Sequence, residues 1–469
     1  MAENGGDRSG TGGTAATARF STGQREADLI LGGGFPLNSI NLIMGQPGTG
    51  KTIFAEQIVF HNAEAARPIV YYTTLSEPLT KVVRYLQGFR FFDEAKIGSA
   101  VIYEDIGPDL VADGPGVLVP RLKALMKTVS PKAIVIDSFR AVRDLMTDLG
   151  ESRRLMYDLG GLLTAYDTTA FLIGEYDEED IRRMPEFAVA DGIVEFSRRR
   201  AGGRDERYFR VLKLRGSSYR EGAHAIAITE AGVRFFPRLV SPASHDYRAV
   251  EERIATGVDG LDAMVGGGLW RGSSTLLSGP SGSGKTSLAL HFVAEGVRRG
   301  EPGLYANFQE NPVQLARTMR GLGFDPHALR DAGLQLFYSS PVELQMDSIL
   351  VELFRRIEAD GIRRVVIDAV GDLAVSANDP QRLHDYLYAL NQHLTVRGVS
   401  SMLTMETSPD SVRLANQGPI RSITDNIIAL QLRGEERTRR TLQVLKTRRS
   451  TLDPANRELG IDSEGVRIL

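Results

Sequence analysis

The chain is written twice. Ser21-Thr22-Gly23, Leu31-Gly32-Gly33-Gly34 and the run from Gly45 to Thr52 recur as Ala255-Thr256-Gly257, Val265-Gly266-Gly267-Gly268 and the run from Gly279 to Thr286. Lys51 and Lys285 stand 234 residues apart, Asp137 and Asp368 stand 231 apart, and Lys213 and Lys446 stand 233 apart. An offset that stays nearly constant across whole halves belongs to two tandem domains, since solenoid units recur every ~20 to 50 residues. The length of 469 residues accommodates two large domains. Pro237, Ser241, Pro242 and Ser244 interrupt the periodic pattern before the second Thr-Gly lead-in, so the boundary is expected within 237–253. The expected division is a first domain over 19–240 and a second over 241–469. Residues 1–18 are rich in Gly, Thr and Ala, with little to bury, and are expected to form a flexible tail.

Within each half, short apolar runs alternate with longer amphipathic stretches, the pattern of a mostly parallel sheet flanked by helices. The first half predicts strands at Ile40–Met44, Ile69–Thr73, Ala133–Ile136, Ala170–Gly174 and Gly192–Phe196, then a hairpin from Tyr208–Leu214 and Ala225–Ile228. The second predicts Ser274–Ser278, Gly303–Phe308, Arg364–Ile367, Ser400–Met405 and Asn426–Gln431. The fold class is therefore α/β, twice over.

Both halves carry G-x-x-x-x-G-K-[ST] after a strand and before a helix expected to begin near Thr52 or Thr286. In this motif the glycines, Gly45, Gly48 and Gly50 in one copy and Gly279, Gly282 and Gly284 in the other, let the backbone curl. Successive N–H groups, including those of Thr49 and Ser283, then point at phosphate oxygens, and the helix terminus adds its positive end. Lys51 and Lys285 are expected to reach the β and γ phosphates, with Thr52 and Thr286 ligating Mg²⁺. Asp137 and Asp368 each end an apolar strand after a P-loop, where an acid can hold the magnesium. Either aspartate alone reads better as a helix cap, and it is their equivalent placement after both P-loops that favours the metal. The expected cofactors are ATP and Mg²⁺.

Composition excludes other chemistries. A formal charge of −3 offers no basic field for nucleic acid or anionic lipid, and no cysteine is present for disulfides, thiolate metal sites or thiol nucleophiles. The seven histidines show no metal-ligand spacing. No apolar run approaches the ~18 to 20 residues of a membrane span, so a cytoplasmic protein without membrane attachment is expected. The arginines of 433–440 and Arg198-Arg199-Arg200 read as solvated turns or, alternatively, as nucleic-acid contacts. Trp270 is expected to pack rather than stack on a base.

With the P-loops, the strand-end acids and the duplicated lead-ins in place, the chain resembles the KaiC family of double-domain RecA-like P-loop ATPases. The resemblance covers about residues 20 to 469. Its most specific parts are Lys213-Leu214-Arg215-Gly216-Ser217-Ser218 and Ile420-Arg421-Ser422-Ile423-Thr424-Asp425. It implies a double-layered ring of six subunits with ATP between neighbours, hydrolysis in the first domain, and phosphorylation of the ring's own residues by the second. By motif position, Lys213 and Arg215 resemble the cations that reach a neighbour's nucleotide, with Lys446 and Arg448 as counterparts; solvated charge on an edge hairpin is the other reading. Arg449 stands where the first half has Gly216, which suggests a different local turn in the second half.

The departures concern the base and the acceptor. The family carries two successive glutamates after its second strand, the first of which takes the proton. Here the segments read Thr74-Leu75-Ser76-Glu77-Pro78 and Asn307-Phe308-Gln309-Glu310, so only the second glutamate survives. Ser76 and Gln309 have no usable basicity, although Gln309 can orient an oxygen. Glu77 and Glu310 are thus expected to act as bases or to polarise water indirectly, with slow turnover; the other reading makes them helix caps. The family's Ser-Thr acceptor pair aligns with Arg421-Ser422, which leaves Ser422 as the single candidate phospho-acceptor. The sequence ends at Leu469, so the tail through which a KaiA-type activator acts is expected to be absent, while a KaiB-like or other signalling partner is compatible. The expected function is a Mg-ATP-binding ring ATPase, slow in its first domain and a serine/threonine autokinase at Ser422 in its second. Two alternatives are a DNA-dependent RecA-type recombinase or repair ATPase, and a nucleotide-gated scaffold with little catalysis.

Overall fold

The computed structural model describes residues 18–74, 79–146, 148–201, 204–242, 251–340, 345–377, 380–407, 419–434 and 438–469. The expected tail, but for Ala18, lies outside the described residues. The chain divides into two compact units, 1–238 and 239–469.

The first unit contains strands β1 (Ile40–Gly45), β2 (Ile69–Thr73), β3 (Val101–Asp105), β4 (Ala133–Asp137), β5 (Thr169–Gly174), β6 (Gly192–Ala201), β7 (Arg204–Leu214), β8 (Ala223–Thr229) and β9 (Gly232–Phe236). The second repeats them as β10 (Ser274–Gly279), β11 (Gly303–Asn307), β12 (Leu334–Tyr338), β13 (Arg364–Asp368), β14 (Ser400–Glu406), β15 (Asn426–Arg433), β16 (Arg439–Lys446), β17 (Arg457–Asp462) and β18 (Gly465–Ile468). Among the described residues each unit builds one nine-stranded sheet. The orders are β3-β2-β4-β5-β1-β6-β7-β8-β9 and β12-β11-β13-β14-β10-β15-β16-β17-β18, the same topology position by position. From β3 to β6 the pairings are parallel, and β6 to β9 form an antiparallel meander. The second sheet is parallel from β12 to β15 and antiparallel from there on.

Helices cover both faces, which is why the central strands read as unbroken apolar runs. Every residue of β1, β2 and β5 is buried. One core of the first unit gathers Phe20, Phe35, Phe54 and Phe171, whose rings meet edge to face at 5.5 Å (Phe20–Phe171) and 5.2 Å (Phe35–Phe171). The other lies on the opposite face around Leu42, Ile136, Leu122 and Met156. The second unit repeats this with Leu277 and Tyr305 on one side and Leu276 and Ile367 on the other. All the expected strands are present, several extended by a residue or more. Strands β3 and β12 had no clear signal because each is a half-buried sheet edge, so neither shows a continuous apolar run. Among the described residues no helix is long and apolar enough to cross a membrane.

One buried ion pair distinguishes the units. Arg364 opens β13 where the first unit has Ala133, and its guanidinium is almost fully enclosed. Its Nε donates to Glu301 at 2.7 Å and its Nη1 to the carbonyls of Ala255 (2.7 Å) and Phe292 (2.9 Å). Glu301 is also bound by Arg271, and burial pushes the Arg364 pKa down while Glu301 opposes the shift. Removing one partner of such a pair leaves a charge in the core without compensation. Glu301→Ala is therefore expected to cost the second unit about 3 kcal/mol. Urea unfolding followed by Trp270 fluorescence measures this directly, because the single tryptophan lies in that unit.

Candidate functional site

Each P-loop leaves the carboxyl end of the central strand, β1 or β10, and runs straight into a helix, α1 (Lys51–Asn62) or α2 (Lys285–Arg298). Gly50 and Gly284 stand at the helix N-caps with φ of +105° and +103°, a left-handed backbone that suits glycine. Thr49 Oγ1 donates to the Gln46 carbonyl at 2.8 Å, and Ser283 Oγ donates to that of Pro280 at 2.7 Å, so each loop is closed by its own hydroxyl. The two lysines fold over the loop. Lys51 Nζ donates to Gln46 O, and Lys285 Nζ donates to Gly279 O and Pro280 O, each at 2.9 Å. Burial lowers both lysine pKa values, and facing carboxylates oppose the shift: Glu175 and Asp137 for Lys51, Glu406 and Asp368 for Lys285.

Behind each loop stands the same three-residue constellation. Thr52 Oγ1 and Tyr71 OH both donate to Asp137 Oδ2, at 2.9 and 2.8 Å. Thr286 Oγ1 and Tyr305 OH do the same to Asp368 Oδ2, at 2.9 and 2.7 Å. Burial, reinforced by the neighbouring aspartate, holds each tyrosine pKa well above its ordinary value, so the phenol remains a donor. The threonine hydroxyl and the aspartate oxygen form the hard oxygen pair suited to Mg²⁺. In the second unit Thr404 also donates to the other oxygen of Asp368.

The remaining expected residues divide by place. Glu77, with Ser76, lies outside the described residues. Glu310 is half-buried, accepts from Thr318 at 3.4 Å, and has its pKa raised by burial and by the charge of Asp368. It does not cap the helix Pro312–Gly321; Asn311 does, accepting from Val313 N and Gln314 N at 3.0 Å each. The Gln309 amide donates to Asp372 at 3.1 Å.

Lys213 and Arg215 sit elsewhere. Leu214 pairs with Gly192, which is level with Asn41 at the start of β1, whereas the P-loop leaves from the end of that strand. Lys213 donates to the carbonyls of Phe187 (3.3 Å) and Ala188 (3.1 Å), and Arg215 donates to Asp191 at 3.2 Å. Lys446 and Arg448 repeat this arrangement, the first donating to the Thr424 carbonyl at 2.5 Å and the second facing Asp425 at 3.6 Å. Arg448 also donates to the backbone carbonyl of Ser422 at 3.2 Å, and Ser422 is exposed on the short helix Pro419–Ile423. Both cation pairs and Ser422 thus occupy the sheet edge opposite the P-loop of the same unit. The different turn expected at Arg449 is not found. Gly216 and Arg449 share a positive φ, +65° and +59°, so the second unit keeps the turn with a side chain on it.

Sequence reasoning missed two pairs. Arg207 Nε donates to the Gly48 carbonyl at 3.3 Å, and Arg440 Nε donates to the Gly282 carbonyl at 2.9 Å, so a meander arginine braces each loop from the same chain. Arg440 therefore does more than decorate a solvated turn. The other pair, Glu175 and Glu406, stands at the end of the strand beside each P-loop strand. Both pairs recur at the repeat offset, which was the available signal. Trp270 packs as expected, its Nε1 donating to Arg449 O at 3.1 Å and its ring 4.1 Å from the Arg253 guanidinium.

One turn beyond Thr52, the units diverge again. Glu56 is fully buried on α1, accepts from Tyr103 OH at 2.8 Å, and has its second oxygen unpartnered among the described residues. The second unit has Leu290 and Leu336 at these places. Burial pushes the Glu56 pKa up to about 8, against the Tyr103 hydrogen bond and aided by the charge of Asp137. A carboxyl whose folded pKa is raised stabilises the fold below its ordinary value of 4.5 and loses that contribution as pH climbs through about 8. The first unit is accordingly expected to lose a few kcal/mol of stability between about pH 5 and 8. Glu56→Gln is expected to flatten that decline and to be the more stable form at pH 8.5. Hydrogen exchange of the β1 amides at several pH values reads the difference.

The KaiC ATPase family model matches residues 20–240 and again 254–469. The chain is 28% identical to the circadian clock protein KaiC3 of Synechocystis, an alignment covering 97% of this chain and 92% of that protein. It is also 28% identical to the circadian clock oscillator protein KaiC of Rippkaea orientalis (94% and 87% covered) and to that of Parathermosynechococcus lividus (95% and 84%).

Proposed function

The chain belongs to the KaiC ATPase family, with the ATPase domain duplicated, and from that premise we propose that it binds Mg-ATP at both P-loops and hydrolyses it slowly within a ring of its own copies. The observation that carries this reading is the paired constellation Thr52–Asp137–Tyr71 and Thr286–Asp368–Tyr305 behind two equally built loops. A site kept for packing alone gains nothing from a threonine hydroxyl bonded to an acid at a strand end, twice. Lys51 and Lys285 take the β and γ phosphates, the loop amides and helix ends take the rest, and Thr52 with Asp137, or Thr286 with Asp368, hold the metal. Mg²⁺ held there would supply neutralisation of the phosphate charge.

The position of the cations supports the ring. Lys213 and Arg215 are at the wrong edge of their own sheet to touch their own nucleotide, so they serve a neighbour, as do Lys446 and Arg448. A cation delivered from outside stabilises charge on the transferring phosphoryl group. Six copies is the number that family membership suggests. Glu310, and Glu77 by its matching position, keep a carboxylate that polarises water at some remove from the phosphate. Ser422 shares the edge of Arg448, so its phosphorylation takes place across a subunit boundary, with Arg448 close by to pair with the product. A KaiB-like partner reading the ring's state fits this assembly. Three of the arginines open to a nucleic-acid role have other partners, Arg198 pairing with Asp205, Arg199 stacking on Tyr208 and Arg440 bracing a P-loop, while Arg437 lies outside the described residues. That favours the ring ATPase over a DNA-dependent recombinase. Ser76 and Gln309, where the family's leading glutamates stand, keep the nucleotide-gated scaffold as the second reading.

Native mass spectrometry with and without Mg-ATP is expected to show a closed oligomer carrying two nucleotides per chain. Phosphate release is expected to fall at least tenfold in the double variant Lys51→Ala, Lys285→Ala. A monomer without nucleotide would sink the proposal, and equal background release by wild type and variant would select the scaffold. With γ-labelled ATP, label is expected in wild type and absent in Ser422→Ala.

A further inference from the structure

The nucleotide reading leaves each site short of a group that takes a proton, because Ser76 and Gln309 occupy the base positions. The topology offers a replacement. β5 is the strand between β1, which ends in the P-loop, and β4, which ends in Asp137. Whatever follows the carboxyl end of β5 stands between the lysine and the acid of the site, and that residue is Glu175. In the second unit β14 lies between β10 and β13 and ends in Glu406. Glu310, by contrast, follows β11, which is separated from the P-loop strand by both β13 and β14.

The side chains fit the placement. Glu175 Oε1 is 4.0 Å from Lys51 Nζ, with 57% of its side chain exposed. Its backbone is fixed: the Glu175 carbonyl accepts from Arg140 at 3.4 Å, and the same guanidinium donates to Asp180 at 2.8 Å and lies 5.3 Å from the Tyr176 ring. In the second unit Thr404, two residues before Glu406 and so on the same face of the strand, donates to Asp368. The next residue, Thr407, donates its N–H to the Gly279 carbonyl at 3.1 Å, tying the strand end to the P-loop.

A carboxylate this close to the P-loop ammonium borders the place of the γ-phosphate without being able to touch it, since like charges repel. The group that suits the gap is a water that donates one hydrogen to the carboxylate and turns a lone pair to phosphorus. We infer that Glu175 and Glu406 are the general bases of the two sites, an inference that rests on the nucleotide reading above. The water oxygen bonds to the γ-phosphorus while the bond to the β,γ-bridging oxygen breaks and ADP leaves with that oxygen's electron pair. The proton passes to the glutamate and from there to the inorganic phosphate.

The test uses the full chain as wild type and as Glu175→Gln, Glu406→Gln, the double variant and Glu310→Gln. It measures affinity for a fluorescent ATP analogue, phosphate release at saturating ATP, and the pH dependence of that release. The double variant is expected to bind nucleotide within about threefold of wild type, to release phosphate at least ~100-fold more slowly, and to lose the acid limb of the pH profile. Each single variant removes only the share of turnover belonging to its own unit, and Glu310→Gln keeps the acid limb. Unchanged release with an unchanged profile in the double variant would overturn the inference. So would tenfold tighter binding at an unchanged rate, which would make the glutamates mere countercharges to the lysines, and so would a wild type that binds but releases nothing above background. Failure of wild type to bind the analogue would instead overturn the nucleotide reading.

Discussion

The hydrogen bond between Thr52 and Asp137, copied between Thr286 and Asp368, joins residues 85 and 82 positions apart. It can form because the strands that carry them are parallel. In a parallel sheet every strand ends at the same edge, so the chain leaves β1, β5, β4 and β2 on one side whatever their order in the chain. The continuous burial of those strands maintains this arrangement, and the price is an interior with almost no polar freedom. Tyr71 and Tyr305, buried within it, are bonded to the two aspartates.

Much of this edge was legible in the sequence, because glycine spacing and a strand-end acid are local signals that repetition amplifies. Lys51, Thr52, Asp137 and their copies needed no knowledge of which strand neighbours which. Glu175, Arg207 and their partners Glu406 and Arg440 did. Their roles come from sheet order, since β5 matters only as the neighbour of both β1 and β4, and β7 matters only because the meander folds back over the loop. Edge strands such as β3 were illegible for a different reason: a strand buried on one side carries half an apolar pattern. Arg449 misled because a positive φ is read from glycine, and here the tertiary turn imposes the same backbone on an arginine.

The two units have diverged in how they treat buried charge. The first encloses Glu56 against Tyr103 close to Asp137, where the second places leucines. The second encloses Arg364 against Glu301 at the start of the strand that ends in Asp368, where the first has alanine. The first arrangement couples the fold to protons near neutrality, while the second is a permanently charged pair insensitive to pH in that range. Two sites of the same construction thus rest on supports with different responses, which is a physical basis for duplicated domains doing unequal work.

Parallel packing also sets what one chain cannot do. It gathers the P-loops and the strand-end acids at the carboxyl edge and leaves the amino edge to Lys213, Arg215, Lys446, Arg448 and Ser422. No hinge within a single sheet brings opposite edges together, because the strands between them are the core. A site that needs both sets of groups draws one set from another sheet, and in the proposed ring that sheet belongs to the next copy. Such head-to-tail contact uses two different surfaces, and it closes into a ring when the rotation between neighbours divides a full turn. The proposed assembly is consistent with strand direction: the same parallelism that gathers the P-loops and strand-end acids at one edge places at the other the cations that would complete the proposed site.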